Sequence, residues 1–226
     1  MATNKRKPNA VRLTTPVDEA ALQTLEIGTV VYLDGMIYTG REGVYKRVIE
    51  DGIAPPVPLN DISNVNFHCS PAAAVNDDGT YNIGGVTATA SFRFAKWLPQ
   101  WFRDTGCRVI IGKGGMSSEH YREIFVPAGA IYLTTVGYGT GALLGRGITA
   151  VESVYWLDDL GIAQAMWVLR VNNFGPLLVE SDLRGNSLFE QHNEQINRNI
   201  EQLYSGLKQP ALSRFGETGN KSEELI

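Results

Sequence analysis

TATASFRFAKWLPQWFRDTGCRVIIGKGGM, residues 87–116, is the stretch that decides the fold. It reads as a polar turn, a short helix, a buried strand and a glycine-flanked lysine. Phe94, Trp97, Leu98, Trp101 and Phe102 recur at the i, i+3, i+4, i+7, i+8 spacing of a helix face turned toward a core. Pro99 interrupts that stripe. It has no N–H and its ring clashes with the carbonyl four residues back, which predicts a kink or two short helices. Gly106 can supply a left-handed stop, and residues 107–111 (CRVII) then suit a buried strand. Gly112-Lys113-Gly114-Gly115 follows at the strand's end, where open α/β sheets hold their ligands. Thr89 and Arg93 stand four residues apart, so on a helix or its first turn they share one face. A hydroxyl, a guanidinium and an ammonium thus fall near one another. The same residues also fit an ordinary αβ unit with two surface cations and a flexible loop.

Upstream, residues 1–14 are polar and basic and read as a flexible N-terminal arm. Asp18 or Glu19 begins a short helix through Leu25. Residues 29–33 (TVVYL) form a strand, Asp34-Gly35 a tight turn, and residues 36–38 the returning strand. Thr39-Gly40-Arg41-Glu42 opens a helix carrying Val44, Val48 and Ile49. The helix dipole does not favour an arginine at that end. Either Glu42 screens Arg41 in solvent, or Arg41 stands beside free N–H groups and the two together hold a carboxylate. Residues 51–60 are a proline-rich connection, residues 65–69 a strand, and Asn76-Asp77-Asp78-Gly79 a hairpin turn.

Downstream, Ser117 or Ser118 caps a helix through Phe125, and residues 130–135 are the next strand. Residues 137–141 (GYGTG) lack the phosphate-loop lysine and the full dinucleotide spacing, so a close approach of backbones explains them better than a nucleotide. Residues 151–156, 167–171 and 177–179 read as three further strands. Residues 190–208 form a polar helix with a thin stripe of Ile196, Ile200 and Leu203, suited to docking on the domain or a partner. Residues 209–226 read as a disordered tail. The predicted class is α/β, with mixed sheets and flanking helices in one domain over residues 15–189.

The 24 acidic and 20 basic residues leave a net charge of −4, which argues against a nucleic-acid or anionic-membrane surface, so any cationic site is local. No run approaches the roughly 18 apolar residues of a membrane span, and the basic N-terminus has no apolar stretch behind it. A cytoplasmic protein is expected. The two cysteines, Cys69 and Cys107, predict no disulfide framework. Of His68, His120 and His192, only His68 has a neighbouring cysteine, which is no zinc or iron–sulfur ligand set. No serine sits on a nucleophile elbow. What remains is cations and a threonine, which bind anions and activate little. That is the inventory of part of an active site.

Taken in order, five blocks resemble a known family. They are GTVVYLDGMIYTGREGVYKRVIE (28–50), TATASFRF (87–94), VIIGKGGM (109–116), VPAGAIYL (126–133) and DLGIAQAMWVLRVNNFGPLLVESDLRGNSL (159–188). The family is that of the β subunit of L(+)-tartrate dehydratase and the carboxy-terminal domain of class I, iron–sulfur fumarases, and the resemblance covers residues 15–189. It implies a swivelling β/β/α domain that closes over an α subunit. That partner carries a [4Fe–4S] cluster on three cysteines, whose open iron acts on the departing substrate hydroxyl.

By the family's T-G-R-D-x-x-H-K-R block, Arg41 inherits a substrate-binding role, with Glu42 in place of the aspartate and Tyr45 in place of the histidine. By its G-P-T-T-x-x-R-M block, Thr89 inherits the role of base and Arg93 that of a second carboxylate ligand. Thr87-Ala88 stands there for Gly-Pro, and Ala90 for the second threonine. Lys113 is the lysine of the G-K block. The resemblance therefore implies a β subunit, active only with its α partner in a heterodimer or (αβ)2. The complex would add or remove water on a small 2-hydroxydicarboxylate: malate, tartrate or a methylated C5 acid. A non-catalytic anion-binding or assembly subunit is the alternative.

Overall fold

Residues on two faces of the same strands enter two different cores, and this alternation organises the chain. The computed structural model describes residues 9–137, 140–203 and 205–206. Residues 1–8, Tyr138-Gly139 of the glycine-rich run and the expected tail over residues 209–226 lie outside them. Nine strands are described: β1 (Ala10–Thr14), β2 (Val30–Thr39), β3 (Val65–Phe67), β4 (Cys69–Val75), β5 (Tyr81–Ala88), β6 (Val109–Gly112), β7 (Ile131–Thr135), β8 (Ile148–Tyr155) and β9 (Met166–Ser181). The main sheet runs β1-β2-β3-β6-β7-β9-β8, and β9 pairs with β2 as well as β7. Strands β2, β3, β6 and β7 are parallel, and β9 runs antiparallel to both ends of that set. These five strands therefore close into a ring. β4 and β5 form a separate hairpin.

Successive strand side chains point to opposite faces, so each strand of the ring feeds both cores. Val65, Phe67, Val109, Ile111, Ile131 and Leu133 enter one core with Leu33, Trp167 and Leu177. Ile110 and Tyr132, between them in sequence, enter the other with Tyr45, Phe94, Trp101 and Phe125 from the helices. Helical residues also reach the first core, through Leu22 and Leu144, and the fold is α/β.

The helices are α1 (Glu19–Gln23), α2 (Glu42–Tyr45) running into a π turn at Lys46–Glu50, α3 (Leu59–Ile62), and a 3₁₀ helix (Ser91–Trp97) leading into α4 (Leu98–Thr105). There follow α5 (Ser118–His120) with a π turn at Tyr121–Phe125, α6 (Thr140–Arg146), α7 (Leu157–Leu160) and α8 (Leu188–Leu203). None of the described helices is long and apolar enough to cross a membrane. The aromatic stripe is divided as Pro99 predicts: the proline sits in the first turn of α4, where its missing N–H costs nothing, and the 3₁₀ segment precedes it. Gly106 ends α4 at φ +66°, and Ser117 caps α5 by accepting from the His120 N–H.

Three expectations are corrected. Ala10–Thr14 is not a loose arm but a strand parallel to β2, with Val11 and Leu13 packed on the inner core. Asp34-Gly35 is not a hairpin turn, because β2 continues through it. The ladder to β9 shifts register there, Gly35 takes φ +111°, and a Cβ on it would stand 2.6 Å from the Thr15 hydroxyl. Asp34 Oδ1 meanwhile accepts from the Asn173 N–H at 2.7 Å. Residues 167–171 and 177–179 are likewise one strand, β9, which passes an irregularity where Asn173 takes φ 50°. The described chain divides after Phe189, and Ile196, Ile200 and Leu203 are exposed on the second unit.

Candidate active site

Parallel strands end at a common edge, and four main-chain bonds stitch the segments that leave it. Gly40 N–H donates to the Phe67 carbonyl (3.3 Å), and His68 N–H to that of Ile111 (2.8 Å). Thr89 N–H donates to the His68 carbonyl (2.7 Å), and Lys113 N–H to that of Thr89 (3.1 Å). Arg41, His68, Thr89 and Lys113 therefore follow the ends of β2, β3, β5 and β6 at one place in the fold.

Arg41 is half-buried. Its NH1 donates to the Ser70 hydroxyl and to the Ala163 carbonyl, while its Nε is buried without a partner. Burial, and then the charge of Arg93, push its pKa down. Arg93 is exposed, with its guanidinium 5.6 Å from the centroid of the Phe94 ring. The one acidic neighbour in sequence, Glu42, pairs with Lys46 at 2.7 Å. Among the described residues no ion pair holds Arg41, Arg93 or Lys113. Gly43 N–H, at the start of α2, already donates to Gln164 Oε1 (3.1 Å), so the idea of free N–H groups beside Arg41 loses one of them.

Thr89 does not share a helical face with Arg93. The helix begins at Ser91, its cap is Ala90, and no side chain bonds there. Thr89 is 6% exposed, and no described residue hydrogen-bonds its hydroxyl. Lys113 is exposed and lines a cleft of about 370 Å³ with Thr87, Thr135 and Thr140. Gly141 borders that cleft, and a Cβ on it would run into the Val86 carbonyl, so this part of the glycine run is the close backbone approach expected of it. A larger cleft of about 430 Å³, between Pro99, Arg103, Arg108 and Glu123, contains none of the predicted site residues.

Behind this edge lies a buried polar chain that sequence reasoning missed. Asn66 Nδ2 donates to Tyr45 OH (2.8 Å), and Tyr45 OH meets His68 Nε2 (2.7 Å). His68 Nδ1 meets Ser91 Oγ (2.7 Å), and Ser91 Oγ meets Tyr132 OH (2.8 Å). Asn66 on β3 and His68 just past its end stand two residues apart, and that period-two pair of polar residues was the legible signal. Two glycines make room. A Cβ on Gly40 would stand 2.9 Å from Asn66 Oδ1, and one on Gly112 would run into Ser91 Oγ and Tyr132 OH.

Burial, then the Arg41 charge, lower the His68 pKa to about 3. A free histidine titrates near 6.5, so from about pH 6.5 down toward 3 the unfolded chain binds a proton that the native chain refuses. The stability contribution is complete above that window and falls by roughly 1 kcal/mol per pH unit within it. Urea unfolding between about pH 7.5 and 5 should accordingly give a steeper loss for the native sequence than for His68→Leu, by about one proton. Equal slopes would show that the imidazole is not held neutral.

Among the described residues, no group of three or more His, Cys, Asp or Glu is placed to hold a metal. Burial pushes the Cys107 thiol up to about 11 and the Cys69 thiol up as well, so neither is a ready thiolate. The described residues of this chain do not fit an iron–sulfur cluster.

Comparison with known proteins shows the family. Residues 1–192 match the family model described as Fumarase C-terminus. The L(+)-tartrate dehydratase subunit beta of Escherichia coli K12 is 31% identical over 182 residues, 80% of this chain and 87% of that protein. A Methanocaldococcus jannaschii protein, provisionally named L(+)-tartrate dehydratase subunit beta, is 34% identical over 80% of this chain and 92% of its own length. A Geobacillus stearothermophilus protein, provisionally named fumarate hydratase class I, is 30% identical over 94% of this chain, which spans 39% of that longer protein. The chain belongs to the fumarase C-terminus family, the hydro-lyase family in which those dehydratase β subunits stand.

Proposed function

We propose that this chain is the β subunit of a two-subunit hydro-lyase acting on a small 2-hydroxydicarboxylate. The observation that carries the reading is that the charges of Arg41 and Arg93 reach each other and that buried Thr89 is joined to Lys113 by a main-chain hydrogen bond, with no carboxylate paired to any of the three cations among the described residues. Two guanidiniums that repel each other suit a ligand with two negative charges, and each can take a carboxylate through two parallel hydrogen bonds. Lys113 stabilises charge that develops on a carboxylate as the neighbouring carbon loses its proton. Thr89 stands as the group that handles that proton. No base of this chain touches its hydroxyl among the described residues, so the activating group is assigned to the partner.

The names of the relatives, subunit beta, imply an α subunit. Since this chain does not fit a metal cluster, the [4Fe–4S] cluster is assigned to that α partner, and this chain contributes substrate binding and proton handling. The test is reconstitution. Neither subunit alone should act, and the co-purified pair should turn over one member of a panel of malate, tartrate and methylated C5 hydroxy-diacids. Full activity from this chain alone overturns the reading. A pair that assembles but turns over none of the panel supports a non-catalytic anion-binding subunit instead.

A further inference from the structure

Resting on the hydro-lyase reading, we propose that His68 is a positioning residue for the reaction, holding Thr89 and Lys113 against each other through two routes. The first is main chain. The His68 carbonyl accepts from Thr89 N–H, and the Thr89 carbonyl accepts from Lys113 N–H. The second runs through side chains, from the imidazole to Ser91, to Tyr132, and from Tyr132 OH to the Lys113 carbonyl at 3.5 Å. Both polar main-chain groups of Lys113 are thereby engaged, as are both of Thr89. The Thr89 hydroxyl and the Lys113 ammonium remain open to a ligand.

The side-chain route has a direction. An Asn amide nitrogen can only donate, so Asn66 fixes Tyr45 OH as acceptor from it and donor to His68 Nε2. The neutral imidazole then carries its proton on Nδ1 and donates to Ser91 Oγ. Ser91 donates to Tyr132, and Tyr132 to Lys113. A single donor sense from Asn66 to Lys113 follows from one terminal group. Apolar side chains would fill the same volume, but a buried hydrogen-bonded network rigidifies what it touches, and Asn66 Oδ1 is the atom of this one left without a partner among the described residues. The bare α-carbons of Gly40 and Gly112 show how closely the backbone at the site is packed on this chain.

The test compares Ser91→Ala, His68→Leu, His68→Gln and the Ser91→Ala/His68→Leu double variant in the reconstituted pair, well below their melting temperatures. A misplacement of about 1 Å can cost on the order of 100-fold. Each single break should lower kcat about 10- to 100-fold while KM stays within about twofold. His68→Gln, whose amide both donates and accepts, should recover part of the loss. The double variant should be no worse than the worse single variant, since both break one route. In parallel, hydrogen exchange on the full-length chain alone should be faster at the Thr89 and Lys113 amides of Ser91→Ala than in the native sequence. Exchange at native rates, or normal kcat with only a lowered Tm, overturns the proposal and leaves the hydro-lyase reading standing. An inactive native pair overturns that reading instead, and the exchange measurement still decides whether His68 pins the two residues.

Discussion

Thr89→Val is expected to reduce kcat of the reconstituted pair by about two orders of magnitude or more, with KM changed little. Valine keeps the branched shape and removes the hydroxyl alone. The alternative explanation of a threonine at this place, a helix cap worth about 1 kcal/mol, conflicts with the structure, because Ala90 is the cap and no side chain bonds there. The Thr89 hydroxyl also accepts or donates no hydrogen bond among the described residues, although the residue is only 6% exposed. Removing it breaks no hydrogen bond among the described residues, and an apolar methyl suits the burial. The melting temperature should therefore hold or rise slightly while turnover collapses. Normal turnover would strike Thr89 from the catalytic residues. A collapse of both quantities would point to a structural role that the geometry does not show.

The parts of the fold that were legible in sequence are those fixed by local chemistry. Pro99 can only begin a helix, Gly106 can take a left-handed stop, and the alternation in β6 and β7 requires burial on both faces. What misled were signals whose outcome depends on distant partners. Asp34-Gly35 has the local form of a hairpin turn, yet Thr15 lies over Gly35 and Asn173 binds Asp34, so the strand continues. β1 has only five residues and pairs with a strand 20 positions on, so nothing near it in sequence announces the pairing. The same contrast governs the site. Arg41, Thr89 and Lys113 were singled out through ordered blocks, whereas the hydrogen bonds of His68 were not legible. Its partners Tyr45 and Ser91 are each 23 residues away, and Tyr132 is a further 41 from Ser91. Periodicity marks Asn66 and His68 as polar and buried but cannot say what satisfies them.

Arg41→Met should raise KM for the dicarboxylate about 10- to 100-fold. A charge-assisted hydrogen-bonded contact is worth roughly 1.5–3 kcal/mol, and about 1.4 kcal/mol corresponds to a factor of ten. Arg41 stands near the top of that range because its guanidinium is already oriented. NH1 is held by Ser70 and by the Ala163 carbonyl, so little side-chain freedom is lost when a carboxylate arrives. The buried Nε, which has no partner, leaves a donor for the ligand to satisfy. Arg41→Lys should recover little, since an ammonium cannot reproduce the planar fork. Arg93 is exposed, so Arg93→Ala should raise KM less than Arg41→Met does. Stability should move the other way. Burial and Arg93 both disfavour the Arg41 charge in the folded chain, so replacing it with methionine should leave Tm unchanged or higher. An Arg41→Met pair with native KM would remove this residue from the binding site, and a lowered Tm would show that the folded chain depends on the charge that the site was expected to hold in reserve for substrate.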